Sequence, residues 1–316
     1  MTESKRNLAE LQMLRLDTKV LWSIQRIIEA VTYAVEHGLT PYISYSGGKD
    51  STVLKHLVHS LFPDIKCVFV NTGLEYPEVV EFARQTVGLV ELRPKMNFVE
   101  VLEKYGFPVP SKRVATAIRK LRSPGSNHVR TLILTGYTQA GKYAPRFKLA
   151  EKWKFLVDAP FLISEKCCDV MKKRPMAKYQ KETRGLPLIG TLAVDSEDRK
   201  ASWQQQGCNV FDGPDSRSMP LSIWTEQDIL QYLFDNNLPI APVYGSIQKC
   251  ASGCLSMTGE DRTGCIFCLF GIAEEQRKRG CNRFQRMKQT HPQLWSYCMD
   301  KLGIRLVMNF LKLPVE

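Results

Sequence analysis

Apolar positions along the first third of the chain change period in a regular order. From Asn7 to His37, Leu8, Leu11, Leu14, Val20, Leu21, Ile24, Ile27, Ile28, Val31 and Ala34 recur at threes and fours. That spacing predicts an amphipathic helix, with Gly38 as its C-cap. A short β-rich run, Pro41 to Tyr45, follows and ends in Ser46-Gly47-Gly48-Lys49-Asp50-Ser51. Val53, Leu54, Leu57, Val58 and Leu61 then return to the helical period, so the segment reads strand, tight turn, helix. Lys66 to Val70 is a second buried strand, and a helix begins near Glu78. Glu91 to Pro94 reads as a third short strand, Asn97 to Tyr105 as a helix, and Leu186 to Ala193 as another apolar strand. Thr225 with Asp228 three residues later forms a capping-box pattern opening a helix to Asn236. Strand–helix–strand order with short loops predicts a parallel α/β sheet with right-handed crossovers. Ligands of open α/β sheets sit beyond the carboxyl ends of the strands, and the loops Ser46–Ser51 and Thr72–Glu75 are two such ends.

Between Pro108 and Phe161 the periodic signal weakens, because Pro108, Pro110, Pro124, Pro145 and Pro160 interrupt it. Basic residues crowd here: Lys112, Arg113, Arg119, Lys120, Arg122, His128, Arg130, Lys142, Arg146, Lys148, Lys152 and Lys154. Tyr137, Tyr143, Phe147 and Trp153 interleave with some of them. A nucleic-acid groove has this composition; a solvated helical insertion beside the substrate site is the plainer reading. The expected organisation is a nucleotide-binding α/β domain over residues 1–215, with a basic insertion at about 108–161. A cysteine-containing helical and loop subdomain follows over 216–316.

At 316 residues and 44% hydrophobic content the chain can bury a full core. No run approaches 18 apolar residues, so no membrane span is expected. Met1 to Arg15 is polar and mixed in charge, unlike a signal peptide, and a cytoplasmic location is expected. Ten cysteines in that compartment point to metal or redox chemistry rather than disulfides. The net charge of +12 suits either a DNA or RNA partner or simply a site for a polyanionic nucleotide.

Two glycines before a helix let the backbone approach a ligand and aim free N–H groups at an anion. Lys49 adds charge and Ser46 and Ser51 add hydroxyls, so a phosphate or pyrophosphate is the expected ligand. The common loop G-x-x-x-x-G-K-[ST] is excluded, because Ile43 stands where its first glycine belongs. The S-G-G-K-D-S run instead resembles the PP-loop of the adenine nucleotide α-hydrolase superfamily. Thr72-Gly73-Leu74-Glu75-Tyr76-Pro77-Glu78 is similar to a nucleotide-side loop of the phosphoadenylylsulfate (PAPS) reductase branch. As a plain helix start, Glu75 and Glu78 would only favour the dipole. Gly190, followed by Ser196 and Arg199, resembles that branch's glycine-to-arginine loop, though Thr191 to Ala193 stand where an arginine is often found. The order P-L-x-x-W-T-x-x-D-I … L-P-x-x-P-x-Y, from Pro220 to Tyr244, is also that of the branch and reads as a fold marker.

The resemblance implies a parallel-sheet adenine nucleotide α-hydrolase-like core with a C-terminal helical and loop subdomain. It implies ATP, or PAPS or adenylylsulfate, as nucleotide, with magnesium. Lys49 and Asp50 would be catalytic. Ser44, Ser46, Gly47, Gly48, Ser51, Thr72, Gly73, Glu75, Gly190, Ser196 and Arg199 would line the nucleotide site. Lys49 is expected to face solvent, with no packing partner of its own.

Cys250, Cys254, Cys265 and Cys268 fall within nineteen residues, and Cys167-Cys168 form a tandem pair followed by basic residues and Pro175. Local spacing selects the first four, a set that would also bind zinc. The iron–sulfur sulfonucleotide reductases use a tandem pair plus a C-x-x-C, so the resemblance selects Cys167, Cys168, Cys265 and Cys268 for a 4Fe–4S cluster. Cys67 reads as core, and Cys208, Cys281 and Cys298 carry no motif. The C-terminal Glu-Cys-Gly setting of true sulfonucleotide reductases has no counterpart in Lys312 to Glu316. The favoured function is therefore an ATP pyrophosphatase that adenylates an acceptor for sulfur transfer, of the DNA phosphorothioation or tRNA thiolation kind. A sulfur donor protein, a cysteine desulfurase or thioredoxin-like, is the implied partner. The alternatives are a PAPS or adenylylsulfate reductase releasing sulfite and a non-enzymatic nucleotide-binding module of a nucleic-acid complex.

Overall fold

The computed structural model describes residues 8–213, 215–251 and 253–315. They fall into two compact units interleaved along the chain. One takes the residues up to Asn71, Glu75–Arg93 and Pro175–Gly264; the other takes Thr72–Leu74, Pro94–Arg174 and the residues from Cys265 onward. Each unit draws on both sides of position 215.

The first unit holds a six-stranded sheet: β1 (Thr40–Tyr45), β2 (Cys67–Val70), β3 (Val90–Leu92), β4 (Gly185–Ile189), β5 (Asn209–Val210) and β6 (Arg217–Ser218). Their order is β3-β2-β1-β4-β6-β5. All neighbours are parallel except β5, which pairs antiparallel with β6 at the edge. A two-stranded hairpin, β7 (Ile247–Lys249) and β8 (Leu255–Met257), belongs to the same unit. A strand covered on both faces needs apolar side chains on both, and Cys67-Val68-Phe69-Val70 is buried throughout. Ile43, Val53, Leu54, Phe69, Leu188 and Trp224 lie in the shared core. This is the parallel α/β class expected from the sequence.

Two differences in detail have local causes. The long N-terminal helix is two: Leu8–Gln12 and Leu16–Glu36, with Asn7 outside the described residues. The buried Lys19 ammonium donates to the Gln12 carbonyl at 2.8 Å, drawing it out of a continuous ladder, and to Asp228 Oδ2 at 2.6 Å. Asp228 also closes the expected capping box with Thr225, at the start of helix Glu226–Asp235. β4 stops at Ile189 rather than running to Ala193. A Cβ at Gly190 would stand 3.0 Å from the Asp50 carbonyl, so the chain turns where it meets the helix after β1.

The second unit is mainly helical, with Phe98–Tyr105, Lys112–Arg122, Asn127–Thr135, Ile272–Arg279, Arg283–Thr290 and Ile304–Phe310. Asn97 and Glu100 cap the first of these reciprocally. Val114, Ile118, Leu121, Ile133, Leu149 and Leu156 form its core. The residues between Pro108 and Phe161 are thus folded around apolar side chains. Arg122, grouped with the surface basic residues on sequence, is structural. Its guanidinium donates to the carbonyls of Leu156, Val157, Ala159 and Phe161 at 2.6–2.8 Å. Among the described residues no helix is long and apolar enough to cross a membrane.

Candidate functional site

The loop after β1 is built by glycine geometry. Gly47 has φ +69°, and a Cβ there would meet Val79 Cγ1 and the Val79 carbonyl at 2.9 Å. Only glycine fits both the left-handed backbone and that approach. Gly48 follows as N-cap of helix Lys49–His59. Ser51 locks the turn: its Oγ accepts from Ser46 N at 3.2 Å, donates to the Gly48 carbonyl at 2.9 Å and lies 3.0 Å from Ser46 Oγ. Ser46 Oγ accepts from Gly48 N at 3.3 Å. Ser44 lies within β1, paired with Val68 and Ile189.

Lys49 is not the solvent-facing residue expected. It is 5% exposed, and its ammonium donates to Glu226 Oε1 at 2.9 Å and to the Asp261 carbonyl at 2.6 Å. Its backbone N–H donates to the Tyr244 hydroxyl at 3.3 Å, which sits 2.6 Å from Thr263 Oγ1. Glu226, Tyr244, Asp261 and Thr263 were missed by sequence reasoning. Tyr244 ends the motif read as a fold marker, and the Glu226 side chain reaches Lys49 from the first turn of the helix that Thr225 caps.

Asp50 is half-buried, and its Oδ1, which is buried, has no hydrogen-bond partner. Burial pushes its carboxyl up, while the Lys49 and Arg262 charges oppose that. Asp195, which also acts on Asp50, is held by Arg262 at 2.6 Å and by Arg199. Arg199, expected at the nucleotide, thus has a carboxylate partner, and Ser196 caps helix Glu197–Gln206 by accepting from Arg199 N at 3.2 Å. Arg262 had no sequence motif to mark it. The first unit therefore brings together the Ser46–Ser51 loop, Gly190 and this cluster of charges at the carboxyl ends of β1 and β4. Asp50, with a buried orphaned oxygen, is suited to hold a cation.

Thr72 and Gly73 fall in the second unit and Glu75 in the first. Thr72 Oγ1 accepts from Leu74 N at 3.2 Å. Gly73 has φ +74° with open space at its Cβ position. The Leu74 carbonyl accepts from Ile266 N at 2.7 Å, joining this segment to the C-x-x-C turn within the second unit.

Cys167, Cys168, Cys265 and Cys268 line one pocket, together with Leu74, Phe98, Pro108, Met171 and Lys172. Cys167 Sγ lies 4.0 Å from Cys168 Sγ. The Cys167 thiol hydrogen bond, joined by the charges of Lys112, Lys172 and Lys173, lowers Cys168 to about 6. The same hydrogen bond pushes Cys167 up, and burial pushes Cys268 up. Among the described residues no three His, Cys, Asp or Glu are gathered as around a single metal ion. A cluster differs, because each thiolate binds its own iron and the sulfurs stand further apart. Four thiols around one largely apolar pocket fit that demand. Cys250 and Cys254 are exposed and belong to the first unit, on the turn between β7 and β8. Cys208 is buried against Trp203 and Ser222.

A mostly parallel sheet flanked by helices, with a glycine-walled helix start at the end of its central strand, is the adenine nucleotide α-hydrolase-like class of fold. Residues 40–124 and 127–266 match the phosphoadenosine phosphosulfate reductase domain, and the chain belongs to that family. A sulfate adenylyltransferase subunit 2 from Brucella abortus is 26% identical over 267 residues, covering 81% of this chain and 76% of that protein. An uncharacterized protein of Methanocaldococcus jannaschii is 22% identical over 264 residues; the match covers 82% of this chain and 46% of that longer protein. Among solved structures, a phosphate complex of PAPS reductase from Candida auris aligns with a TM-score of 0.39 at 15% identity, covering 78% of this chain and 96% of that one.

Proposed function

We propose that this protein is an ATP pyrophosphatase that adenylates an acceptor oxygen and so prepares it for sulfur transfer, with a nucleic acid as acceptor. The acceptor oxygen attacks the α-phosphorus of ATP and pyrophosphate leaves. A sulfur nucleophile from a donor protein then displaces AMP from the adenylated acceptor. The observation that carries this reading is the cradle at the start of helix Lys49–His59. There Gly47 removes side-chain bulk and Ser46 and Ser51 fix the turn. Lys49 would leave Glu226 for the phosphates, stabilising charge that develops as the α–β bond breaks. Magnesium, when bound, would neutralise the pyrophosphate, and the orphaned Asp50 Oδ1 is the group that would hold it. Cys167, Cys168, Cys265 and Cys268 would hold a 4Fe–4S cluster for the sulfur chemistry.

The likeness to a sulfate adenylyltransferase subunit supports chemistry on ATP over reduction of a sulfonucleotide. The family's own description supports a second reading, reduction of PAPS or adenylylsulfate to sulfite. Anaerobically purified protein, given ATP, magnesium, oligonucleotide and a sulfur donor, is expected to form AMP and pyrophosphate. Sulfite from PAPS or adenylylsulfate, with no AMP from ATP, would establish the second reading instead.

A further inference from the structure

Charge is distributed very unevenly in this chain. Residues 111–150 contain nine Lys or Arg and no Asp or Glu; elsewhere 35 basic residues meet 32 acidic ones. Most of the net charge of +12 therefore lies in one stretch of the second unit. Some of it is spent internally, since Arg122 binds four carbonyls and Arg119 pairs with Glu165. Three of the others, Lys142, Arg146 and Lys148, lie on a hairpin segment that follows helix Asn127–Thr135. Thr138 N donates to the Lys142 carbonyl at 2.9 Å, and Ala144 N to the Gly136 carbonyl at 2.7 Å. Tyr137 and Tyr143 pair across it, with ring centroids 5.1 Å apart. Arg146 lies over the Phe147 ring at 4.6 Å, and Arg113 donates to the Arg146 carbonyl at 3.1 Å. Lys148 flanks Gly136 beside Tyr143. Among the described residues, Arg113, Lys142, Arg146 and Lys148 have no carboxylate partner.

Tyr137 and Tyr143 are each 50% exposed and Phe147 is 44% exposed. A merely solvated surface has no use for three half-exposed rings set among unpaired cations. Backbone hydrogen bonds hold these rings in place, so little ordering entropy opposes a ligand that stacks on them. Cations without carboxylate partners beside open aromatic faces match one ligand chemistry, a phosphodiester chain with unstacked bases. We propose that the Tyr137–Lys148 hairpin is a docking surface for single-stranded nucleic acid. The binding claim stands on this surface; that the bound strand is the adenylated acceptor rests on the ATP reading above.

The test is fluorescence anisotropy of the full-length protein with a labelled single-stranded 20-nucleotide RNA and the matching DNA, between about 50 and 200 mM salt. Binding that weakens steeply with salt is expected. The triple variant Lys142→Glu, Arg146→Glu, Lys148→Glu should abolish most of it at the higher salt. The milder triple alanine variant should flatten the salt slope by about 2. Tyr137→Ala with Tyr143→Ala should lose about tenfold or more while retaining the slope. The order of affinity between RNA and DNA identifies the sugar preferred. All these substitutions are on exposed side chains, and an unchanged thermal melt confirms the fold. No binding at 50 mM salt, or equal binding by wild type and the glutamate variant, would overturn the proposal. Binding to phosphatidylserine vesicles but not to oligonucleotide would likewise overturn it in favour of a membrane surface. ATP-to-AMP turnover is measured in parallel. Strand binding without turnover removes the adenylation reading alone, and turnover without strand binding removes the docking surface alone.

Discussion

Lys49 illustrates what a buried charge in a binding loop implies. Its ammonium already has two oxygen partners, Glu226 and the Asp261 carbonyl, and a nucleotide must replace at least the first. Lys49→Ala should reduce AMP formation by on the order of 100-fold or more. It should leave the fold intact, because Glu226 is 46% exposed on its side chain and stays hydrated when its partner goes. Wild-type turnover in that variant would remove the loop from the chemistry. Glu226→Gln takes away the competing carboxylate, so KM for ATP should fall while kcat changes little; a raised KM would mean that Glu226 assists binding. Asp50→Asn should suppress magnesium-dependent turnover, read as loss of the metal dependence of AMP formation. The loop residues were legible because each is adjacent in sequence and bound to its geometry. Tyr244, Asp261 and Arg262 were not, since they reach the loop from some two hundred residues away and only tertiary structure brings them there.

Among the elements, β3 is a short parallel strand of three residues, none of them buried. Side chains tie it down. Glu91 accepts from Arg84 Nε at 2.8 Å and Nη2 at 2.9 Å, and from Asn71 Nδ2 at 2.8 Å. The Arg84 hydrogen bonds hold the Glu91 carboxyl down at about 2, below its ordinary 4.5. Its contribution is complete above the unfolded value and is lost as pH falls from 4.5 towards 2. Glu91→Gln should therefore lower Tm at pH 7 and converge with wild type in acid; a difference independent of pH would mean that the charge does nothing. Parallel strands announced themselves through continuous apolar runs such as Cys67–Val70, whereas β5 and β6, two residues each, left no periodic trace. The N-terminal break at Met13–Arg15 was invisible for a different reason: its apolar period runs on through it, and the interruption depends on Lys19 and Asp228, 209 residues apart.

For the molecule as a whole, the two units divide the proposed chemistry. The phosphate cradle lies in the first and the four-cysteine pocket in the second. Protein purified without oxygen should be brown, with about four irons per chain. Cys265→Ser or Cys268→Ser should bleach it, while Cys208→Ser, in the core of the first unit, should not. A colourless protein carrying stoichiometric zinc would exclude the cluster. The cysteine set was legible only through the pairing of a tandem with a C-x-x-C. Spacing along the chain favoured Cys250 and Cys254, which the hairpin of β7 and β8 keeps in the first unit.

The interleaving also orders events on the ribosome. β1 pairs with β4 from Thr40 opposite Gly185, so the central strand emerges about 145 residues before its neighbour exists. At ordinary rates of synthesis that is a delay of roughly 7 to 30 s. Throughout it, one edge of the most apolar part of the sheet lacks its partner, the condition under which nascent strands aggregate. The intervening residues, Pro94–Arg174, belong to the second unit and are complete before β4 appears. The nascent chain therefore needs shielding at β1 for longer than its modest length suggests, and fragments ending before Gly185 should be recovered as insoluble material.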